Sequence, residues 1–149
     1  METIHVADEV RLVWGRGEPI KDGAVLVGRD RVGAVGTFAE IRERFPDARV
    51  RRWPGVLGPA LVHEGPLPDA PTPRERVHAV LKLGAVAVLE EHMDGPGLWA
   101  AADRNDVVVL PRARATAIVD VGRADLAVFD SDGTCIATVC AGRLVHRRR

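Results

Sequence analysis

The chain has 149 residues, and its 21 Lys+Arg balance 21 Asp+Glu, so no global field is available to recruit nucleic acid or an anionic membrane. A chain of this length can bury about 70% of the surface it exposes when unfolded, which makes one domain with its own core feasible. No apolar run reaches the length of a bilayer span and no leader pattern opens the chain, so a soluble, cytoplasmic protein is expected.

Taken in chain order, an opening strand precedes Ala24 to Val35, where two apolar runs flank the polar turn Gly28-Arg29-Asp30 and predict a hairpin. Thr37-Phe38-Ala39-Glu40 spells a capping box, in which hydroxyl and carboxylate each satisfy a free amide at a helix start. Phe38, Ile41 and Phe45 then share one helical face, and Pro46 stops the helix. From Gly58 through Pro71 proline and glycine dominate, which predicts an irregular connection.

Thr72-Pro73-Arg74-Glu75 spells a second capping box, with proline in the first turn; Val77, Val80 and Leu81 repeat at helical spacing, and Gly84 closes the segment. The runs Ala85 to Leu89 and Val107 to Leu110 are continuously apolar, as in strands covered on both faces, with a short helix from Leu98 to Arg104 between them. Helix, strand, helix, strand reads as a fragment of an α/β repeat with parallel strands. Leu126 to Phe129 and a hairpin from Cys135 to Val145, turning at Ala141-Gly142, return to antiparallel logic, with Asp130-Ser131-Asp132-Gly133 as turn chemistry. Cys135 and Cys140 lack the spacing of a CxxC redox or zinc pair and, five apart in one strand, are expected on opposite faces as reduced thiols.

Two blocks carry a family resemblance. Asp22-Gly23-Ala24-Val25 through Arg31-Val32-Gly33-Ala34-Val35-Gly36, then Pro54-Gly55, resemble the opening of the amidohydrolase superfamily, most closely its imidazolonepropionase-like branch. Gly122-Arg123-Ala124-Asp125-Leu126 is similar to that family's G-x-x-A-D-L entry into its last strands. The resemblance covers about two thirds of the chain and implies an α+β fold in one domain, 1–149. Residues 1–57 and 115–149 would form a composite β-sandwich, and residues 58–114 an α/β insert that is a remnant of the catalytic barrel. In the family the P-G strand ends in two histidines one residue apart; here His63 matches the first and Gly65 replaces the second. A (β/α)8 barrel takes about 250 residues, and the stretch between the two blocks cannot supply the family's remaining ligands. Without that metal cluster the hydrolytic water has no activator.

The residues that could still carry chemistry are Glu90, Glu91, His92 and Asp94, just past an apolar strand at the end where open α/β units place ligands. Period-two geometry would put Glu90 and His92 on one side, with His63 approaching from the preceding strand. Imidazole and carboxylate suit zinc or another first-row metal, His63 and His92 as ligands and Glu90 or Glu91 as general base; the alternative is a solvated loop. His5, His78 and His146 read as structural or boundary residues, and Trp14, Trp53 and Trp99 as anchors for core or interface. The expected function is a non-catalytic binding or accessory module without a cofactor, serving a small-molecule ligand or a pathway enzyme. The alternative is a small zinc-dependent hydrolase of carbon-nitrogen bonds other than peptide bonds. The insert's apolar strands need cover, and self-association into a homodimer is the expected source. Neither nucleic acid nor a membrane is expected as a partner.

Overall fold

A computed structural model describes residues 1–148, so Arg149 of the C-terminal arginine run lies outside the described residues. The N-terminal block is β1 (Glu2–Val10), β2 (Ile20–Gly28), β3 (Arg31–Thr37), α1 (Phe38–Arg44) and β4 (Arg49–Pro59). The middle holds β5 (Leu61–His63), α2 (Pro73–Lys82), β6 (Ala85–Leu89), α3 (Pro96–Arg104) and β7 (Val108–Leu110), and the C-terminal block is β8 (Leu126–Phe129), β9 (Cys135–Cys140) and β10 (Arg143–Arg147). The fold class is α+β, and no helix among the described residues is long and apolar enough to cross a membrane.

The two terminal blocks share one mixed seven-stranded sheet in the order β10-β9-β8-β4-β1-β2-β3. The joint is the antiparallel pairing of β4 with β8, Val56 to Phe129 through Pro59 to Leu126. Among the described residues these strands do not divide into two separate sheets, as a sandwich would. Instead the single sheet curls, so that Val25, Val27 and Val32 at one end meet Leu126, Val128, Ile136 and Val139 at the other in one core. Backbone bonds close the seam: Ala124 N–H donates to Asp30 O at 2.7 Å and Gly142 N–H to Ala124 O at 2.9 Å. The α1 helix covers the opposite face of β1 and β2, burying Ile41 against Ile4, Val6, Ala24 and Leu26.

The predicted caps form. Thr37 and Glu40 make the full reciprocal box. At α2 the Thr72 hydroxyl accepts from Glu75 N–H at 3.2 Å, but it also donates to the Glu75 carboxylate, so the return bond goes to the side chain and not to the Thr72 amide. Gly58 and Pro59 correct the expected irregular connection, because they continue β4, and Leu61–His63 makes a further strand. Gly58 sits in the sheet for a packing reason: a Cβ there would strike the Trp14 ring, whose Nε1–H donates to Pro59 O at 2.7 Å.

The middle segment forms a three-stranded parallel sheet, β5-β6-β7. Val86 and Val88 project to α2 and α3, meeting Val77, Val80, Leu81, Leu98 and Ala102 in a core that also reaches Ala127 and Cys140 of the large sheet. Thr138, fully buried, donates its hydroxyl to Leu81 O at 2.7 Å and so fixes the end of α2 on β9. A register shift pairs Val128 with Ala137 but Phe129 with Cys135, leaving Ile136 as an extra residue. That bulge reverses the alternation, which corrects the expected cysteine placement. Cys135 contacts the Thr138 hydroxyl at 3.3 Å, and Cys140 joins the same α2 side, while Ile136 and Ala137 both turn to the other core.

Candidate functional site

The C-terminal end of the parallel strands gathers the residues expected to do chemistry. His63 ends β5 and lies in register with Val88, so Glu90 to His92 begin just beyond it on the neighbouring strand. His63 Nε2 donates to Pro66 O at 2.9 Å, which leaves Nδ1 as the nitrogen available to a ligand. Glu90–His92 forms a single 3-10 turn rather than a strand extension, closed by Met93 N–H to Glu90 O at 3.0 Å. At three residues per turn Glu90 and His92 diverge, which corrects the expectation that they share one side. Met93, 7% exposed in the core under α2 and α3, explains the turn: the chain must coil to send that side chain inward.

Glu90 and Glu91 face solvent, and His92 Nε2 comes no nearer to Glu91 than 3.9 Å. Among the described residues no group of three or more His, Cys, Asp or Glu side chains is arranged to hold a metal ion. His63, Glu90, Glu91 and His92 therefore share an end of the sheet without forming one ligand set. Gly65, where the second histidine of the paired motif would stand, supplies no donor.

The other face of the small sheet offers a cleft of about 340 Å³. Val62, Ala87, Val108 and Leu110 form its apolar wall, and the irregular segment bearing Arg114 and Thr116 lies across it. At its base Arg123 Nε meets both oxygens of Asp125, at 2.8 and 3.0 Å, and a second guanidinium nitrogen donates to Asp106 O at 2.7 Å. Asp125 also accepts Ala141 N–H at 2.9 Å, while its carbonyl takes Ala60 N–H at 3.0 Å. One short motif thus ties the small sheet to the C-terminal hairpin. Cys140, beneath the guanidinium, has its thiol pushed up to about 12 by burial and is inert as a nucleophile. Arg114 and Thr116 escaped sequence reasoning because they lie in a segment without periodicity. Arg123 and Asp125 stood out only as a strand entry, although a charged pair one residue apart before a buried strand is a signal for a clamp.

Comparison with known proteins starts at the N-terminal hairpin, where residues 23–48 match the imidazolonepropionase-like composite domain of bacteria. No curated protein matches the sequence. Among solved structures, an adenosine deaminase from Xanthomonas campestris with bound zinc aligns at TM-score 0.57 and 19% identity, covering 77% of this chain and 36% of that one. The likeness shows a fold shared with part of this larger structure. Guanine deaminase from E. coli aligns with this chain at TM-score 0.55 and 16% identity, over 73% of it and 35% of the deaminase. Ochratoxinase from A. niger aligns at TM-score 0.50 and 22% identity, over 74% and 30%. The chain spans about a third of the length of these structures.

Proposed function

We propose that this chain is a non-catalytic binding or accessory module on an amidohydrolase scaffold, taking a small-molecule ligand in the cleft beside Arg114 and Thr116. The observation that carries this is the donor supply: three parallel strands stand between the two terminal blocks, and Gly65 replaces the second histidine of the metal-binding pair. Zinc chemistry of the kind suggested by the zinc in the X. campestris deaminase needs three or four convergent ligands. The cleft combines an apolar wall with a few polar groups, as small-molecule sites do.

The second reading, a metal-dependent hydrolase of non-peptide carbon-nitrogen bonds, is favoured by one placement: His63, Glu90, Glu91 and His92 share the C-terminal end of the strands. A second copy could add the ligands one chain lacks. Ammonia release from primary amides and amidines, measured with added zinc, separates the two. The module reading expects no release above buffer. Release that disappears in Glu90→Gln and His63→Ala would replace it with the hydrolase.

Association with a second copy is part of the same proposal. Both outer edges of the β5-β6-β7 sheet are unpaired among the described residues, and Leu12, Val119 and Val121 are exposed where the turn at 118–122 docks beside Leu12 and Val32. Light scattering on the eluted protein should read twice the chain mass at micromolar concentration; the mass of one chain would remove this part.

A further inference from the structure

We propose that the groove between α2 and β10 binds a phosphate-bearing small molecule, independently of the cleft and of any metal at His63. One wall is a stripe on α2. Arg74, His78 and Lys82 recur every four residues and so lie one above another on the helix, beside the buried stripe of Val77, Val80 and Leu81. The facing wall is β10, where Arg143 and His146 project to the α2 side. Both walls are therefore basic in a chain whose formal net charge is +0, so the concentration is local and does not follow from composition.

The groove between them encloses about 720 Å³, the size of a small-molecule site, over a floor that includes Leu81 and Val145. Two carboxylates stand at the groove, and each has a partner among its residues. Glu75 accepts the Thr72 hydroxyl at 3.1 Å, and Asp106 pairs with Arg143 at 2.8 Å. Cations gathered around an imidazole raise the cost of protonating it. His78 shows this: burial first, then Lys82, His146 and Arg74, hold its imidazole below the usual histidine range. His146 donates Nε2–H to Cys135 O at 3.2 Å, which fixes its ring across from the helix.

A phosphate dianion answers this arrangement. The Arg74 guanidinium presents parallel N–H donors to two phosphate oxygens, and the Lys82 ammonium and a His78 imidazolium balance the remaining charge. Thr72 and Asn105 at the rim can hydrogen-bond the body of the ligand, and the apolar floor can take a small carbon skeleton. Carboxylates offer the same fork with less charge and would bind more weakly. Since the bound anion favours imidazolium at His78, binding raises that group's affinity for a proton. Arg74, Lys82 and Glu75 from α2, Arg143 and His146 from β10, and Asn105 at the end of α3 are the charged and polar groups around it.

The test is a titration of the full chain with inorganic phosphate and, separately, pyrophosphate, at ionic strength held constant with sodium chloride, reading the His78 and His146 imidazole signals by NMR. Expected are saturable shifts, a raised His78 pKa in the saturated protein, and affinity lowered at least about tenfold in Arg74→Gln/Lys82→Gln. Both substituted side chains are exposed, so the fold is retained. Shifts reproduced by chloride alone, affinity unchanged in the double variant, or a His78 pKa that does not rise would each overturn the proposal.

Discussion

Gly142→Ala is expected to lower stability by about 3 kcal/mol or more, against about 1 kcal/mol for Gly133→Ala. Both glycines have φ +80, so both substitutions meet the same left-handed strain. Their surroundings differ. A Cβ at Gly133 meets nothing within 4 Å, whereas one at Gly142 runs into the carbonyl of Arg29 and stands 2.8 Å from Asp30 Cα. That contact is the seam where the turn of the C-terminal hairpin stacks on the turn of the N-terminal hairpin, with residue 124 bonded between them. Backbone cannot move aside as a flexible side chain does, so the seam must open. Urea denaturation of the two variants measures the difference directly. Equal losses would mean that the terminal blocks are not held together at this point.

Acidification is expected to remove about 3 kcal/mol of stability between pH 7 and pH 4 through His5 alone. His5 lies on β1, 3% exposed, and its pKa is lowered from 6.5 to about 4, chiefly by burial and then by the nearby Arg51. Its Nδ1 accepts the Trp53 Nε1–H at 3.2 Å, a bond that requires the neutral ring nitrogen. In the unfolded chain the imidazole takes its proton near 6.5, while in the folded chain it resists to about 4. Between those values the unfolded state holds more protons, so stability rises with pH. The contribution is complete above 6.5 and is lost progressively down to about 4. His5→Gln keeps an acceptor for Trp53 but cannot titrate, so its stability should vary much less across this window. Parallel pH profiles for the two proteins would show that His5 is not the group responsible.

Most elements could be read from local chemistry. The hairpin at 24–35, the Thr37 and Thr72 caps and the two apolar parallel strands follow from residues that decide their own backbone state, and tertiary context reinforced them. The seam at Gly142 was not legible, because a glycine in a turn looks the same whether or not another turn lies on it. Gly58 and Pro59 misled for a related reason, since their loop-like composition conceals a close approach by Trp14. Around the site the decisive features were one-residue events. The extra residue at Ile136 moved Cys135 to the same side as Cys140, and the inward pull on Met93 turned an expected strand end into a 3-10 turn that separates Glu90 from His92. Periodicity arguments carry no information about where a period breaks. The clamp of Arg123 on Asp125 and Asp106 needed the fold, because Asp106 belongs to a different element.

Metal content of protein purified without chelator, with and without His63→Ala, tests the proposed loss of the catalytic centre most directly. The donor set at the end of β5 and β6 predicts substoichiometric zinc, iron and manganese, unchanged by the substitution. A stoichiometric metal that disappears with His63 would contradict it and place a metal centre at the end of β5.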